Sequence, residues 1–299
     1  MSPFAPRPSR HLLAALCRDP RHFQIGVLGS LLVYGMVALG FPVSLWEVAL
    51  LVGTALATQA AAGRLVGVRF DARSPLISAL SLSLLARAAS PGWLAATAVA
   101  AIGSKFLIRR RGKHVFNPTN FGLVAVALAS GQVWVSPGQW GSGPNLALLL
   151  VCAGGLVVYR AARGDVTWGF LLAYGAVLFG RAAWLGDPWP IPLHALDNGA
   201  LLIFAFFMIS DPKTTPDSRA GRLVYAAVVA LAAGGVHFVL FRPNGFIWAL
   251  AACAPLVPLT DHLLPGARYR WPGGSIARSK AAPARPLPKE EPDHALSPI

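Results

Sequence analysis

Charge is scarce in this chain. Only 13% of its 299 residues are Asp, Glu, Lys or Arg, against 55% hydrophobic residues and a mean hydropathy of +0.55. A soluble domain carries roughly a quarter charged residues, so the composition excludes a soluble globule and points to an integral membrane protein. Cysteine is scarcer still. Cys17, Cys152 and Cys253 stand far apart with no CxxC pair, which speaks against disulfide, iron–sulfur and zinc frameworks and for small core residues. No Asp or Glu falls near the middle of an apolar run, since Glu47 and Asp261 lie close to the ends of theirs and Lys105 can snorkel to the interface. Pumps use ionisable groups within the membrane, so the sequence speaks against an autonomous pump. HExxH, GxSxG and Walker patterns are missing, which removes the conventional hydrolases and ATPases. HLLAAL (residues 11–16) is too short for a signal-peptide core, and Leu16 before Cys17 does not suit lipoprotein cleavage. Residues 1–22 therefore read as a cytoplasmic N-terminal arm.

What the sequence does have is apolar length. Crossing a bilayer takes roughly 17–25 residues, fewer where a broken helix is sheltered by protein. Ten segments fit: 23–41, 44–62, 74–88, 92–108, 119–133, 145–161, 166–184, 197–210, 222–240 and 245–263. They make one transmembrane domain over 23–265, followed by a Pro- and charge-rich tail over 266–299 that reads as disordered. The net charge of +14 would suit a nucleic-acid binder, but the basic residues sit between apolar segments and no nucleic-acid motif accompanies them. The odd-numbered loops hold only Arg87, Arg181 and Arg242. Apart from Lys105, the remaining Lys and Arg residues lie in the N-terminal arm, the even-numbered loops and the tail. By the positive-inside rule both termini are cytoplasmic and the number of spans is even. Ten spans divide into five plus five, and a tandem duplication of an odd-numbered unit must be inverted in the membrane. The short segments three and eight occupy corresponding places in the two halves.

Three polar stretches could carry chemistry. GKHVFNPTNFG (residues 112–122) enters segment five from the cytoplasmic side, with Asn117 able to cap and Pro118 suited to the first turn. The free amides of that turn and the basic run Arg109–Lys113 make an anion-friendly spot. A capped helix beside a positive-inside anchor explains the same residues, and spacing alone favours that plainer account. FFMISDPKTTP (residues 206–216) ends segment eight with Asp211, Lys213, Thr214 and Thr215 between prolines. A plain exit from lipid needs no paired threonines, and this turn faces the same side as Lys113, His114, Asn117, Thr119 and Asn120. Two rigid polar turns on one face read as two halves of one site. WVSPGQWGSGPN (residues 134–145) lies on the outer side. There Trp134 and Trp140 suit an interfacial aromatic belt, and Ser136 and Gln139 offer hydrogen bonds. In segment three, Ser74, Ser78, Ser81 and Ser83 suit close helix packing, with a pocket-lining face as the alternative.

The order SPLISALSLSLL, then SKFLIRRRGKHVFNPTNFG, then FAFFMISDPKTTPDSRAGRL resembles the RnfD/NqrB family, membrane subunits of bacterial Rnf and sodium-pumping NADH:quinone oxidoreductase complexes. The likeness runs over roughly residues 24–265. It looks most like the RnfD-like branch also found beside enediyne biosynthesis genes, which shares the KHVFNPTNFG and SPGQWG wording. This resemblance implies an all-α fold of ten transmembrane helices in a 5+5 inverted repeat akin to urea transporters, set in the bacterial inner membrane. It also implies flavin as cofactor and other redox subunits as partners. In the family one FMN is esterified to a threonine of an outer SGAT-like sequence. Here the nearest approach reads Ser142-Gly143-Pro144-Asn145, and asparagine has no hydroxyl to esterify. The implied flavin, FMN or riboflavin, is therefore non-covalent and falls to Asn117, Thr119, Asn120, Asp211, Lys213, Thr214 and Thr215. The chain is at most a non-autonomous oxidoreductase subunit. A transporter or channel for a small neutral molecule is the alternative that the apolar interior also suits.

Overall fold

The computed structural model describes residues 19–136, 140 and 144–271. Asp19 caps the first helix, α1 (Pro20–Val37), by accepting from the Arg21 amide, and Pro20 takes a first-turn position where its missing N–H costs nothing. Ser44 and Glu47 form a capping box that starts α2 (Leu45–Leu65). Then follow α3 (Arg73–Leu85), strand β1 (Ala86–Ala88), α4 (Pro91–Leu107), a hairpin of β2 (Arg109–Arg110) and β3 (Lys113–His114), α5 (Pro118–Ser130) and strand β4 (Val133–Val135). The rest comprises α6 (Pro144–Arg160), α7 (Gly164–Leu185), α8 (Pro190–Leu196), α9 (Gly199–Ile203) running into a π turn (Phe204–Met208), α10 (Arg219–Phe238), α11 (Gly245–Cys253) and α12 (Val257–Leu263).

The fold is mostly helical, of a membrane type. Among the described residues four helices are long and apolar enough to cross a membrane: α2, α7, α10 and the continuous stretch Gly245–Leu263. A fifth forms if α8 and Gly199–Met208, bent by 48°, count as one span. Segments three and five, expected as helices over 74–88 and 119–133, stop early. Both α3 and α5 have 13 residues, about 20 Å at 1.5 Å per residue, against a hydrocarbon core of roughly 30 Å. What completes them is extended chain. Strand β1 pairs antiparallel with β4, Ala86 facing Val135 and Ala88 facing Val133, so the backbone that leaves each helix is hydrogen-bonded within the protein. Periodicity could not foresee this, because the strand residues are as apolar as the helices they extend.

The packing has a repeating plan. In the first five helices α1 and α2 both contact α3, α2 packs on α4, and α4 on α5. Five segments later α6 and α7 contact the α9–π unit, α7 packs on α10, and α10 on α11. Contacts of α1 with α6 and of α5 with α11 join the groups. Gly122 allows α5 to lie against α4, since a Cβ there would meet the Thr97 carbonyl at 2.6 Å.

The core centres on the α9–π unit, whose residues 199–210 are all buried. Phe204 packs between Phe170 and Phe246 with centroids at 5.0 Å to each. At the π turn the Ile209 amide reaches back to the Phe204 carbonyl at 3.0 Å. Thr167 Oγ1 donates to the Ala205 carbonyl at 2.9 Å, satisfying a group that the wider turn leaves without a helical partner. Cys253 is buried here as expected, whereas Cys152 lies on an exposed face of α6; both are free thiols.

Candidate functional site

The two polar turns meet. Asn117 Oδ1 accepts from the Asn120 amide at 3.1 Å and so caps α5, while its Nδ2 donates to the Met208 carbonyl at 3.2 Å and to Asp211 Oδ2 at 3.5 Å. One side chain thus ends one helix and starts another, 94 residues apart in sequence. Beside this junction lies a cavity of about 210 Å³. His114, Asn117, Thr119, Asp211 and Lys213 line it, together with Ser74, Ser78 and Ser81 from one face of α3. The pocket-lining role of that serine face therefore holds at three positions. Ser83 instead donates to the Ala79 carbonyl within its own helix.

The electrostatics of the cavity follow from burial. Lys105 is 4% exposed and donates from Nζ to Ser74 Oγ at 2.9 Å; it faces the cavity rather than snorkelling to the interface. Burial is the main cause that lowers the His114 pKa, to about 4, and the cations Arg109, Lys105 and Lys213 push the same way while a bond to the Lys105 carbonyl opposes them. His114 is therefore neutral at physiological pH. Burial raises the Asp211 pKa, opposed by the Lys213 amide, which donates to Oδ1 at 2.9 Å, and by the Lys213 and Lys105 charges. Burial lowers that of Lys213.

Two polar atoms in this wall have no hydrogen-bond partner among the described residues: Gln59 Oε1 and His114 Nδ1. Gln59 is 7% exposed, and both residues line the cavity. A buried acceptor left unpaired costs about 1–3 kcal/mol, so these atoms are the wall's open positions for a ligand or water.

The mouth of the cavity is built from charge and aromatic rings. Asp19, Arg21, Asp71 and Arg73 close a four-membered ring of ion pairs: Arg21 reaches Asp19 at 2.6 Å and Asp71 at 2.8 Å, and Arg73 reaches them at 2.7 and 2.8 Å. Trp271 covers this ring, with the Arg21 guanidinium 4.9 Å from its centroid, and itself lines the cavity. Tyr269 stacks edge-on against Trp271 at 5.0 Å, accepts from Lys213 Nζ at its carbonyl and carries Arg163 over its ring at 4.7 Å. Of the tail expected from residue 266, Tyr269 and Trp271 make these contacts; residues 272–299 lie outside the described residues.

The other expected site residues fall elsewhere. Lys113 turns away from this cavity and bridges Asp217 at 3.0 Å and Asp261 at 2.7 Å. Asn120 is buried behind the wall and donates to the Ile247 carbonyl at 2.8 Å. The hydroxyls of Thr214 and Thr215 are spent on the Asp211 carbonyl at 3.4 and 3.1 Å, so the paired threonines build the turn and do not line the cavity. On the outer side Trp140 is 1% exposed and packs edge-on against Phe41 at 4.7 Å, a core ring and no belt residue. Trp134 is half exposed. Ser136 is half-buried at that same end, far along α5 from the cavity, and Gln139 lies outside the described residues. Arg21, Gln59, Asp71 and Trp271 also line the cavity, although no motif in the sequence marks them. Gln59 alone carried a signal, as a solitary amide within an apolar segment.

The geometry defines a membrane protein with a buried, polar, cation-rich cavity opening on its basic side. Residues 131–270 match the model of the NQR2, RnfD, RnfE family, which supports the RnfD/NqrB resemblance seen in the sequence. The chain is 31% identical over 157 residues to the D-type component of the ion-translocating oxidoreductase complex of Cronobacter sakazakii, covering 51% of this chain and 42% of that protein. Its counterpart from Stutzerimonas stutzeri is 29% identical over 210 residues, covering 64% and 56%. That from Alcanivorax borkumensis is 42% identical over 93 residues, covering 29% and 25%. The chain spans about half or less of the length of these curated relatives.

Proposed function

We propose that this chain is a membrane subunit of an RnfD/NqrB-like electron-transport complex, and that it holds a non-covalent flavin in the cavity beside Asn117 and Asp211. The observation that carries the reading is the pair of unpartnered atoms, Gln59 Oε1 and His114 Nδ1, in a cavity ringed by cations. A flavin ring edge alternates hydrogen-bond donors and acceptors, which such atoms complement. At about 210 Å³ the cavity is smaller than typical ligand pockets of roughly 300–1,000 Å³. It suits a flat ring whose ribityl chain leaves through the mouth past Trp271. When bound, flavin would supply one- and two-electron chemistry.

The chain's own residues would bind and tune it. Lys105, which makes no ion pair among the described residues, places a positive charge where reduction adds negative charge. Neutral His114, whose other ring nitrogen donates to the Lys105 carbonyl, would accept at Nδ1, Ser78 and Ser81 can orient the ring, and the Trp271 indole excludes water at the mouth. We further propose ten crossings in a 5+5 inverted arrangement in the bacterial inner membrane with both termini cytoplasmic. The recurring pairings of α1–α5 and α6–α11 support it, as does the odd number of segments per half. The α3/α5 half-helices and the α9–π unit would then be the broken spans at the interface of the repeats. Electron exchange with partner subunits belongs to the same reading and rests on the names of the relatives.

The test is titration of the purified protein with riboflavin and with FMN, followed by flavin fluorescence. Gln59→Leu and Lys105→Met should each weaken binding by about tenfold or more, the loss of one hydrogen bond made in a buried site. Unchanged affinity in both variants would remove flavin from this cavity. A wild type that binds no flavin but passes a small neutral solute into liposomes would replace the proposal with the transporter reading.

A further inference from the structure

A second cavity, of about 260 Å³, lies on the far side of the β2–β3 hairpin. The hairpin, α12 and Arg268 enclose it, and its wall is dominated by charged side chains. Two carboxylates face it, Asp217 and Asp261, but both are already engaged. Lys113 Nζ sits between them, and Asp261 Oδ1 also accepts the Asp217 amide at 2.7 Å. Arg110, Arg111 and Arg268 converge on the same space and form no ion pair among the described residues. Arg268 reaches the hairpin tip: a methyl group on Gly112 would stand 3.9 Å from Arg268 Nη1. The three side chains are exposed, so solvent screens their mutual repulsion, but together they present a positive wall to an anion that enters the cavity. The planar guanidinium fork matches phosphate oxygens two at a time.

The hairpin backbone gives an independent reason. Its two-residue turn places both Arg111 (φ 51°) and Gly112 (φ 77°) in the left-handed region. Asn, Asp or Gly is favoured at the first of these places, and arginine there is strained. An arginine kept at a position its backbone disfavours, on the rim of this cavity, is consistent with a role for its side chain there.

We propose that the pocket between the β2–β3 hairpin, α12 and Arg268 is a binding site for a phosphate group. Lys113, clamped by Asp217 and Asp261, fixes the hairpin; Arg110, Arg111 and Arg268 supply the donors. The phosphate is that of a soluble phosphate ester or of an anionic lipid headgroup, since the pocket lies on the basic side where a membrane surface attracts such clusters. The site shares the wall residue His114 with the other cavity, but its donors are different residues and its test does not depend on the flavin reading.

The experiment measures thermal unfolding of the full chain in detergent, titrated with inorganic phosphate against chloride at matched ionic strength. Native mass spectrometry of the same preparations reads co-purified phosphatidylglycerol. For a soluble ligand, phosphate raises Tm beyond the chloride control, and Arg110→Gln/Arg268→Gln abolishes the rise. For a lipid, phosphate has little effect, but the wild type carries phosphatidylglycerol that the double variant loses. Arg111→Gly separates binding from folding: it relaxes the left-handed backbone, so the ligand-free Tm holds or rises. The half-saturating phosphate nevertheless increases roughly tenfold, or bound lipid falls comparably, as one charge-assisted contact is lost. No phosphate-specific shift and no retained anionic lipid in the wild type would overturn the proposal. So would a shift or lipid content that all variants keep.

Discussion

At the start of α5, Asn117 reaches across to Met208 and Asp211, and the two turns wall a cavity with unpaired polar atoms. At the far end of the same helix, β4 pairs with β1 and Trp140 closes against Phe41 in the core. Both ends look alike as sequence, each a Pro-, Gly- and Asn-containing turn between apolar segments. The difference lies in what surrounds them. At the basic end Lys105, Arg109, His114 and Lys213 crowd a space lined by serines and by the glutamines Gln24 and Gln59. At the other end a small pocket of about 110 Å³ is walled by residues such as Leu123, Val133 and Trp248. Unpaired atoms alone do not set the ends apart, since Trp140 Nε1 and Asn244 Oδ1 at the outer end also have no partner among the described residues; the basic end differs in gathering charged and hydroxyl groups around one space.

That contrast can be broken by substitution. Lys113→Met should cost most, about 3–5 kcal/mol at neutral pH, because it leaves Asp217 and Asp261 facing each other with no cation between them. Thermal or SDS unfolding would read it, and a loss below about 1 kcal/mol would mean the clamp is solvated, as surface pairs are. At the opposite end Trp140→Ala should cost about 3–5 kcal/mol, as for a fully buried ring. Trp134→Ala, on an exposed face, should change stability by only about 0.5 kcal/mol. Equal effects would erase the distinction between core and belt at that end. Between these lies Thr214→Val/Thr215→Val, about 2 kcal/mol from two lost hydrogen bonds to the Asp211 carbonyl. Ligand affinity should survive in this double variant, in contrast to Gln59→Leu, since the threonines shape the turn without facing the cavity.

The pH dependence sharpens the account of the basic end. The folded pKa of His114 is lowered from 6.5 to about 4, so the unfolded chain takes up the proton first. Its contribution is intact above pH 6.5 and is lost as pH falls from there to about 4. Asp71 acts lower. Burial alone would raise its pKa, but hydrogen bonds and charge from Arg73 and Arg21 outweigh that and lower it from 3.8 to about 2. Its contribution is present above pH 3.8 and is lost as pH falls through about 2. Tm measured against pH should therefore fall in two limbs, and His114→Phe should remove the upper limb while leaving the lower.

Much of this is written locally. The Asn117 cap, the stop at Asp211-Pro212 and the buried serine face of α3 follow from residue types and spacing. The pairing of the two turns is readable because both fall on the basic side. What is illegible depends on long-range packing. Whether an apolar residue near position 86 or 133 is helix or strand depends on the partner strand, and the pairing of Ala86 with Val135 is not written in either. Lys105 reads as a snorkelling residue until Ser74 is placed beside it. Trp271 sits in a sequence typical of a disordered tail, and nothing there marks its contact with Arg21 or that of Tyr269 with Arg163.

The central claim is that the cavity beside Asn117 and Asp211 holds a non-covalent flavin. The most direct measurement is the absorbance spectrum of the purified, detergent-solubilised protein from a flavin-replete host, before and after acid precipitation. The account predicts a flavin spectrum in the native protein and release of the colour to the supernatant on precipitation. A colourless protein, or colour that stays with the precipitate, would contradict it.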